Sequence, residues 1–150
     1  MEMLNIDDKI EIIEKRFRRS CWLIKLKGRE ILSNYDITTP QFNALAYLVF
    51  DGEMTIGELS SKMYLACSTV TDLLDRMERN ELVKRIKDEK DRRVIRLKVL
   101  DKGHRIIDDV LENRRNYLKD IFGDLGDDKI NMIYETFNII DACMEDTIKE

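Results

Sequence analysis

The sequence predicts a mainly α chain carrying one small β-hairpin. Three observations predict it. Apolar residues recur at helical spacing along most of the 150 residues. One stretch, 82–99, switches to alternation with a period of two. The chain holds one proline and six glycines, too few to interrupt helices often. The length suits one domain with a real core.

The elements follow in order. Ile6, Ile10, Ile13, Phe17, Cys21, Ile24, Gly28 and Ile31 step by three and four, one face of a helix over roughly 6–33. So small a lobe cannot cover that stripe, which is expected to cross onto a partner. Thr38 with Gln41 forms a capping box, Pro40 suits a first helical turn, and Phe42, Leu45, Leu48 and Val49 carry a short helix to roughly 50. Thr55 with Glu58 forms a second box, opening a helix with Ile56, Leu59 and Met63 inward. The next helix spans 67–79, with Val70, Leu73, Leu74 and Met77 on its apolar face. Leu82–Lys87 and Arg93–Val99 read as paired strands, Asp88–Arg92 as their loop. Helical period returns with Ile107, Val110, Leu111, Leu118, Ile121 and Phe122. After Gly123–Gly126 a last stripe runs through Ile130, Ile133, Phe137, Ile140, Met144 and Ile148.

Composition narrows the function classes. No apolar run approaches the about 20 residues of a membrane span, and Met1–Asn5 has neither the basic start nor the apolar stretch of a leader. A cytoplasmic protein without a membrane partner is expected. Cys21, Cys67 and Cys143 are odd in number, far apart and without metal-ligand spacing, so free thiols are expected and no metal site. His104 is the only histidine. No phosphate-cradling glycine loop, H-x-x-x-H or nucleophile elbow accompanies it, so no catalytic residue, cofactor or enzymatic activity is expected.

Net charge is −4, yet it is unevenly spread. Residues 15–29 hold seven Lys/Arg and no acid. Residues 82–105 hold ten Lys/Arg against four acids, and residues 106–150 hold five against twelve. A basic stripe on an acidic body is an electrostatic footprint for a polyanion. For 15–29 a solvated helix face explains the run equally well.

Two short capped helices followed at once by a basic hairpin make a winged helix-turn-helix. The second helix of such a pair enters the major groove of DNA, and the wing reaches the neighbouring minor groove. Ser68, Thr69, Thr71 and Asp72 present small polar groups toward base edges or phosphates, with Arg76 and Arg79 one and two turns later. One of Ser68 and Thr69 is also expected to cap the helix. In the wing, Lys87, Lys90, Arg92 and Arg93 are the candidate DNA contacts. One of Arg92 and Arg93 is expected to pair with Asp88 or Asp91, leaving the other for DNA.

From Ile37 to Gly103 the chain resembles the MarR family of transcriptional regulators. The carrying residues are Thr38-x-Pro40-Gln41-Phe42-x-x-Leu45, Thr55-x-x-Glu58-Leu59, Ser68 to Glu78, Leu82-Val83-x-Arg85, and the wing signature Asp91-Arg92-Arg93 with Leu97 and Gly103. The resemblance implies a single domain over 1–150. Residues 37–100 would form the DNA-binding lobe, with dimerisation helices at 1–36 and 101–150. It implies a homodimer on a double-stranded, pseudo-palindromic operator, regulated by a small ligand or by oxidation, and a repressor relieved by a small-molecule effector is expected. Two positions depart from the family pattern. Glu81 stands where the family has glycine, and Asn80 is expected to supply the left-handed turn. Leu100 stands where the family has a capping threonine, and Asp101 is expected to cap instead. Two alternatives stay open: a winged-helix adaptor for protein contact, and a thiol-based redox regulator using Cys21.

Overall fold

A computed structural model of the chain describes residues 4–148. Met1–Met3, part of the leader-free reading, lie outside it, as does the side chain of Ile148 at the end of the last stripe. The elements are α1 (Ile6–Leu32), α2 (Thr39–Phe50), α3 (Ile56–Met63), α4 (Cys67–Arg79), β1 (Val83–Lys87), β2 (Ile95–Val99), α5 (Asp101–Phe122) and α6 (Asp127–Ile148). The mainly α class with one hairpin is therefore observed. Two compact units divide the chain, 1–111 and 112–150.

In the first unit α1 begins at Asn5, whose side chain accepts from the Asp8 N–H at 2.8 Å. Only Gly28, Ile31 and Leu32 of this helix are buried, and every residue from Leu4 to Leu26 is exposed. Both expected capping boxes form. Gln41 Oε1 accepts from Thr38 N–H at 2.9 Å, and Glu58 Oε2 accepts from Thr55 N–H at 2.7 Å. They fix the starts of α2 and α3, which enclose the core with α4: Leu45, Leu59, Val70, Leu74, Met77, Ile107 and Val110 are fully buried.

The strands pair antiparallel, Val83 opposite Val99 and Lys87 opposite Ile95. The Leu97 N–H also bonds to the Met54 carbonyl at 2.8 Å, tying the wing to the segment before α3. Leu97 and Val99 are buried and Lys98 is exposed, the alternation the sequence predicts. Gly103 makes the closest approach. A Cβ there would lie 2.6 Å from the Leu82 carbonyl and 2.7 Å from Val99 Cγ1, so only hydrogen lets α5 settle on the hairpin's base.

Three boundary expectations are corrected. Ala66, not Ser68 or Thr69, is the N-cap of α4, and it makes no side-chain cap bond. The helix starts at Cys67, which places both hydroxyls inside the first turn, too late to cap it. Glu81, not Asn80, takes the left-handed turn, at φ 59° against −87°. Leu82 N–H reaches the Met77 carbonyl and Glu81 N–H the Glu78 carbonyl, a Schellman closure that requires the reversal at Glu81. Asp101 is the first residue of α5 rather than its cap. His104 N–H bonds to the Leu100 carbonyl at 3.1 Å, which puts Leu100 in the cap position.

The second unit holds the end of α5, a turn closed by Leu125 N–H on the Phe122 carbonyl with Gly126 at φ 74°, and α6. Ile130, Met132, Tyr134, Phe137, Ile139 and Met144 of α6 are exposed. Among the described residues no helix is long and apolar enough to cross a membrane.

Candidate nucleic-acid interface

The interface is built on α4 and the hairpin after it. Val70, Leu74 and Met77 bury one side of α4. At 3.6 residues per turn the opposite side then carries Ser68, Asp72, Arg76 and Arg79 in a row, with Thr69 beside it. All five are exposed. Thr71 falls on a flank, half-buried, and its hydroxyl donates to the Cys67 carbonyl at 2.8 Å. With its proton so engaged, the hydroxyl can act toward a ligand only as an acceptor. Arg79 donates from Nε to the Asp75 carbonyl at 3.2 Å.

The turn leading into α4 is open. Tyr64 ends α3 in the left-handed region, at φ 53°, and is 95% exposed. Ala66 leaves the first N–H groups of α4 without a side-chain acceptor. An uncapped helix start carries positive partial charge and unmet donors, the arrangement that favours a phosphate oxygen. Cys67, the first residue of α4, is exposed, its sulfur 3.2 Å from Ser60 Oγ.

The wing is organised by Asp88. One of its oxygens accepts from the Lys90 and Asp91 N–H groups at 2.8 and 3.1 Å, and the other accepts from Arg96 Nε at 2.5 Å. The Arg96 guanidinium and the two amides hold this carboxyl down at about 2, against an ordinary 3.8. Arg96 also approaches Glu58 at 3.9 Å, linking the wing to α3. Of the two wing arginines, one makes the expected ion pair with Asp91. Arg93 is structural, its Nε on Asp91 Oδ1 at 3.1 Å, and that contact lowers the Asp91 pKa. Arg92 is exposed and, among the described residues, has no ion-pair partner. Lys87 and Lys90 are exposed beside it.

Arg85 joins α4 to the hairpin. From β1 it pairs with Asp75 at 2.6 Å and with Glu78, and its backbone N–H donates to Glu78 Oε1 at 3.1 Å. Sequence reasoning placed Arg85 only as part of a motif and missed this role. The signal present was two acids three apart on α4 and an arginine just inside β1, but spacing alone does not pair them. The α1 environment weighs on the thiol reading. Arg18, one turn from Cys21, is engaged by Glu14 at 2.9 Å. Cys21 itself is exposed and free.

A capped helix, an open turn, a second helix with an outward polar row and a basic hairpin ion-paired to it define a winged helix-turn-helix regulator. Residues 37–95 match the model of the MarR family. The chain is 57% identical over 118 residues to the HTH-type transcriptional regulator YsmB of Bacillus subtilis (strain 168), covering 79% of this chain and 81% of the relative. It matches the structure of a MarR family protein from Bacillus stearothermophilus at 44% identity and a TM-score of 0.86, covering 95% and 99% of the two chains. An S. aureus MepR mutant bound to an oligodeoxyribonucleotide shares the fold alone, at 21% identity and a TM-score of 0.67 over 88% and 97% of the two chains. The chain belongs to the MarR family of helix-turn-helix transcriptional regulators.

Proposed function

We propose that this regulator binds a pseudo-palindromic operator as a homodimer, with α4 in the major groove and the wing in the minor groove. The observation that carries the reading is the Arg85 bridge. It holds the outward row of α4 and the unpaired Arg92 in one fixed relation, as a two-groove reader needs. The DNA-bound MepR neighbour supports the same use of the fold. Ser68, Thr69, Thr71, Asp72 and Arg76 meet bases or nearby phosphates. Lys87, Lys90 and Arg92 meet the backbone and minor groove, while Arg93 stiffens the wing.

The dimer is supported by apolar surface. Ile6, Ile10, Ile13 and Ile24 of α1 and Ile130, Phe137 and Met144 of α6 are exposed along single stripes, and patches of that size mark interfaces. Repression relieved by a small ligand is supported by family membership, and a thermal-shift screen of metabolites with and without DNA addresses it.

The decisive experiment compares Thr69→Ala and Arg92→Ala on cognate and scrambled duplexes at several salt concentrations. Thr69→Ala is expected to lose about 1–3 kcal/mol on the cognate site and little on the scrambled one. Arg92→Ala is expected to weaken both and to reduce the salt slope by about one. Equal affinity of both variants with the parent on both duplexes removes the reading and leaves the protein-adaptor alternative.

A further inference from the structure

A cleft lies between the ends of α2 and α3, and none of the residues lining it is among the proposed DNA contacts. It holds about 420 Å³, at the lower end of the range for small-molecule sites. Tyr47, Phe50 and Asp51 line one wall, and Lys62, Met63 and Tyr64 line the other. The Lys62 ammonium sits 2.8 Å from Asp51 Oδ2 and 5.9 Å from the centre of the Tyr47 ring. A carboxylate beside an aromatic face is an arrangement that recognises ammonium groups. Here a side chain of the protein itself occupies it. Phe50 is 62% exposed and Tyr64 95%, so two further aromatic side chains lie open beside the pair. Tyr64 is set there by a left-handed backbone, φ 53°, which a tyrosine adopts only at a cost.

We infer that this cleft binds a protonated organic amine carrying an aromatic or branched apolar group, with the ligand's ammonium taking the place of Lys62's. Three features choose a cation. Among the described residues the lining carries one acid and one base, so displacing Lys62 leaves a single carboxylate. Aromatic faces carry negative charge density, which attracts a cation and disfavours a carboxylate or phosphate. An anion would have to break the Asp51 pair to reach Lys62 and would then lie beside Asp51. An amine exchanges like for like and adds what Lys62 lacks, an apolar body to cover Phe50 and Met63. The exchange costs little, because Lys62 and Asp51 are both exposed and exposed pairs contribute little. Lys62 stands in the last turn of α3, from which its released ammonium returns to water.

The test titrates the full-length chain with 2-phenylethylammonium and, separately, with 3-phenylpropionate, an anion of similar shape. The Met63 methyl and Tyr64 amide resonances report occupancy. The ammonium is expected to bind at least about tenfold more tightly than the anion. Asp51→Asn is expected to weaken it about tenfold, and Phe50→Ala about threefold or more. Lys62→Gln is the discriminating variant. It removes the resident cation, so ammonium binding is expected to tighten about threefold or more. All three positions are exposed, and circular dichroism checks that each variant folds. Resonances that stay still up to about 20 mM ammonium, in the parent and in Lys62→Gln alike, overturn the inference. So does an anion that binds as tightly, or ammonium binding that Lys62→Gln weakens or Asp51→Asn leaves unchanged. The DNA reading, carried by α4 and the wing, stands or falls separately from each of these results.

Discussion

At Gly103 the room for a side chain is already taken by a backbone carbonyl and a valine methyl. The helix is otherwise regular there, so Ala carries no propensity penalty and the effect of substitution is steric. Gly103→Ala is expected to destabilise the lobe by about 1–3 kcal/mol, because Leu82 and α5 must part to admit the methyl. Urea unfolding measures it, and a midpoint equal to the parent's refutes the close approach. Asp88 is the second residue whose surroundings decide something. Its carboxyl is depressed in the folded chain, so its contribution to wing order is fully present above its ordinary value of 3.8. It is lost as pH falls through about 2. The Lys90 and Asp91 amide resonances are therefore expected to hold steady from neutral pH to about 4 and to shift between about 4 and 2. In Asp88→Asn the Lys90 step should vanish, and a step at higher pH in the parent argues against the Arg96 pairing.

At the scale of elements, α4 is closed at its end and open at its start. A Schellman turn through Glu81 satisfies its last carbonyls, while Ala66 leaves its first N–H groups unmet. Ala66 already has the extended φ and ψ of a cap, −65° and 145°. Ala66→Asp should therefore raise stability by about 0.5–2 kcal/mol. If a phosphate oxygen meets this end, as the proposed binding mode requires, the same carboxylate would compete with it, so duplex affinity should fall. Paired thermal melts and DNA titrations check the opposite signs, and a gain in both means that no phosphate meets this end. The sequence spelled out these elements well where a side chain announces the boundary. Thr38 with Gln41 and Thr55 with Glu58 are explicit starts, and alternation from Ile95 to Val99 is an explicit strand. It was silent where backbone geometry decides. The start of α4 has an alanine where side chains usually signal, so the nearby Ser68 and Thr69 misdirected the assignment. The left-handed turn fell on Glu81 because the hydrogen bonds of Leu82 demand it, whatever residue stands there.

For the whole molecule, the outward row of α4 was legible because burial on one side dictates exposure on the other, whereas the choice between Arg92 and Arg93 stayed open. Arg85, Asp88 and Arg96 were not, since each acts through a partner 7–10 residues away and charge spacing does not say which partner wins. The same blindness covers α1, where a basic run reads alike as solvated surface and as a footprint for a polyanion. The Arg85 bridge has a mechanical consequence for the proposed two-groove reader. With Asp75 and Glu78 on one side and β1 on the other, helix and hairpin form a single lever rather than two fingers. Such a lever cannot let go of one groove and keep hold of the next. If the chain reads DNA as proposed, departure of a lobe from its site becomes a one-step event, and a slight tilt of the lobe would empty both grooves at once.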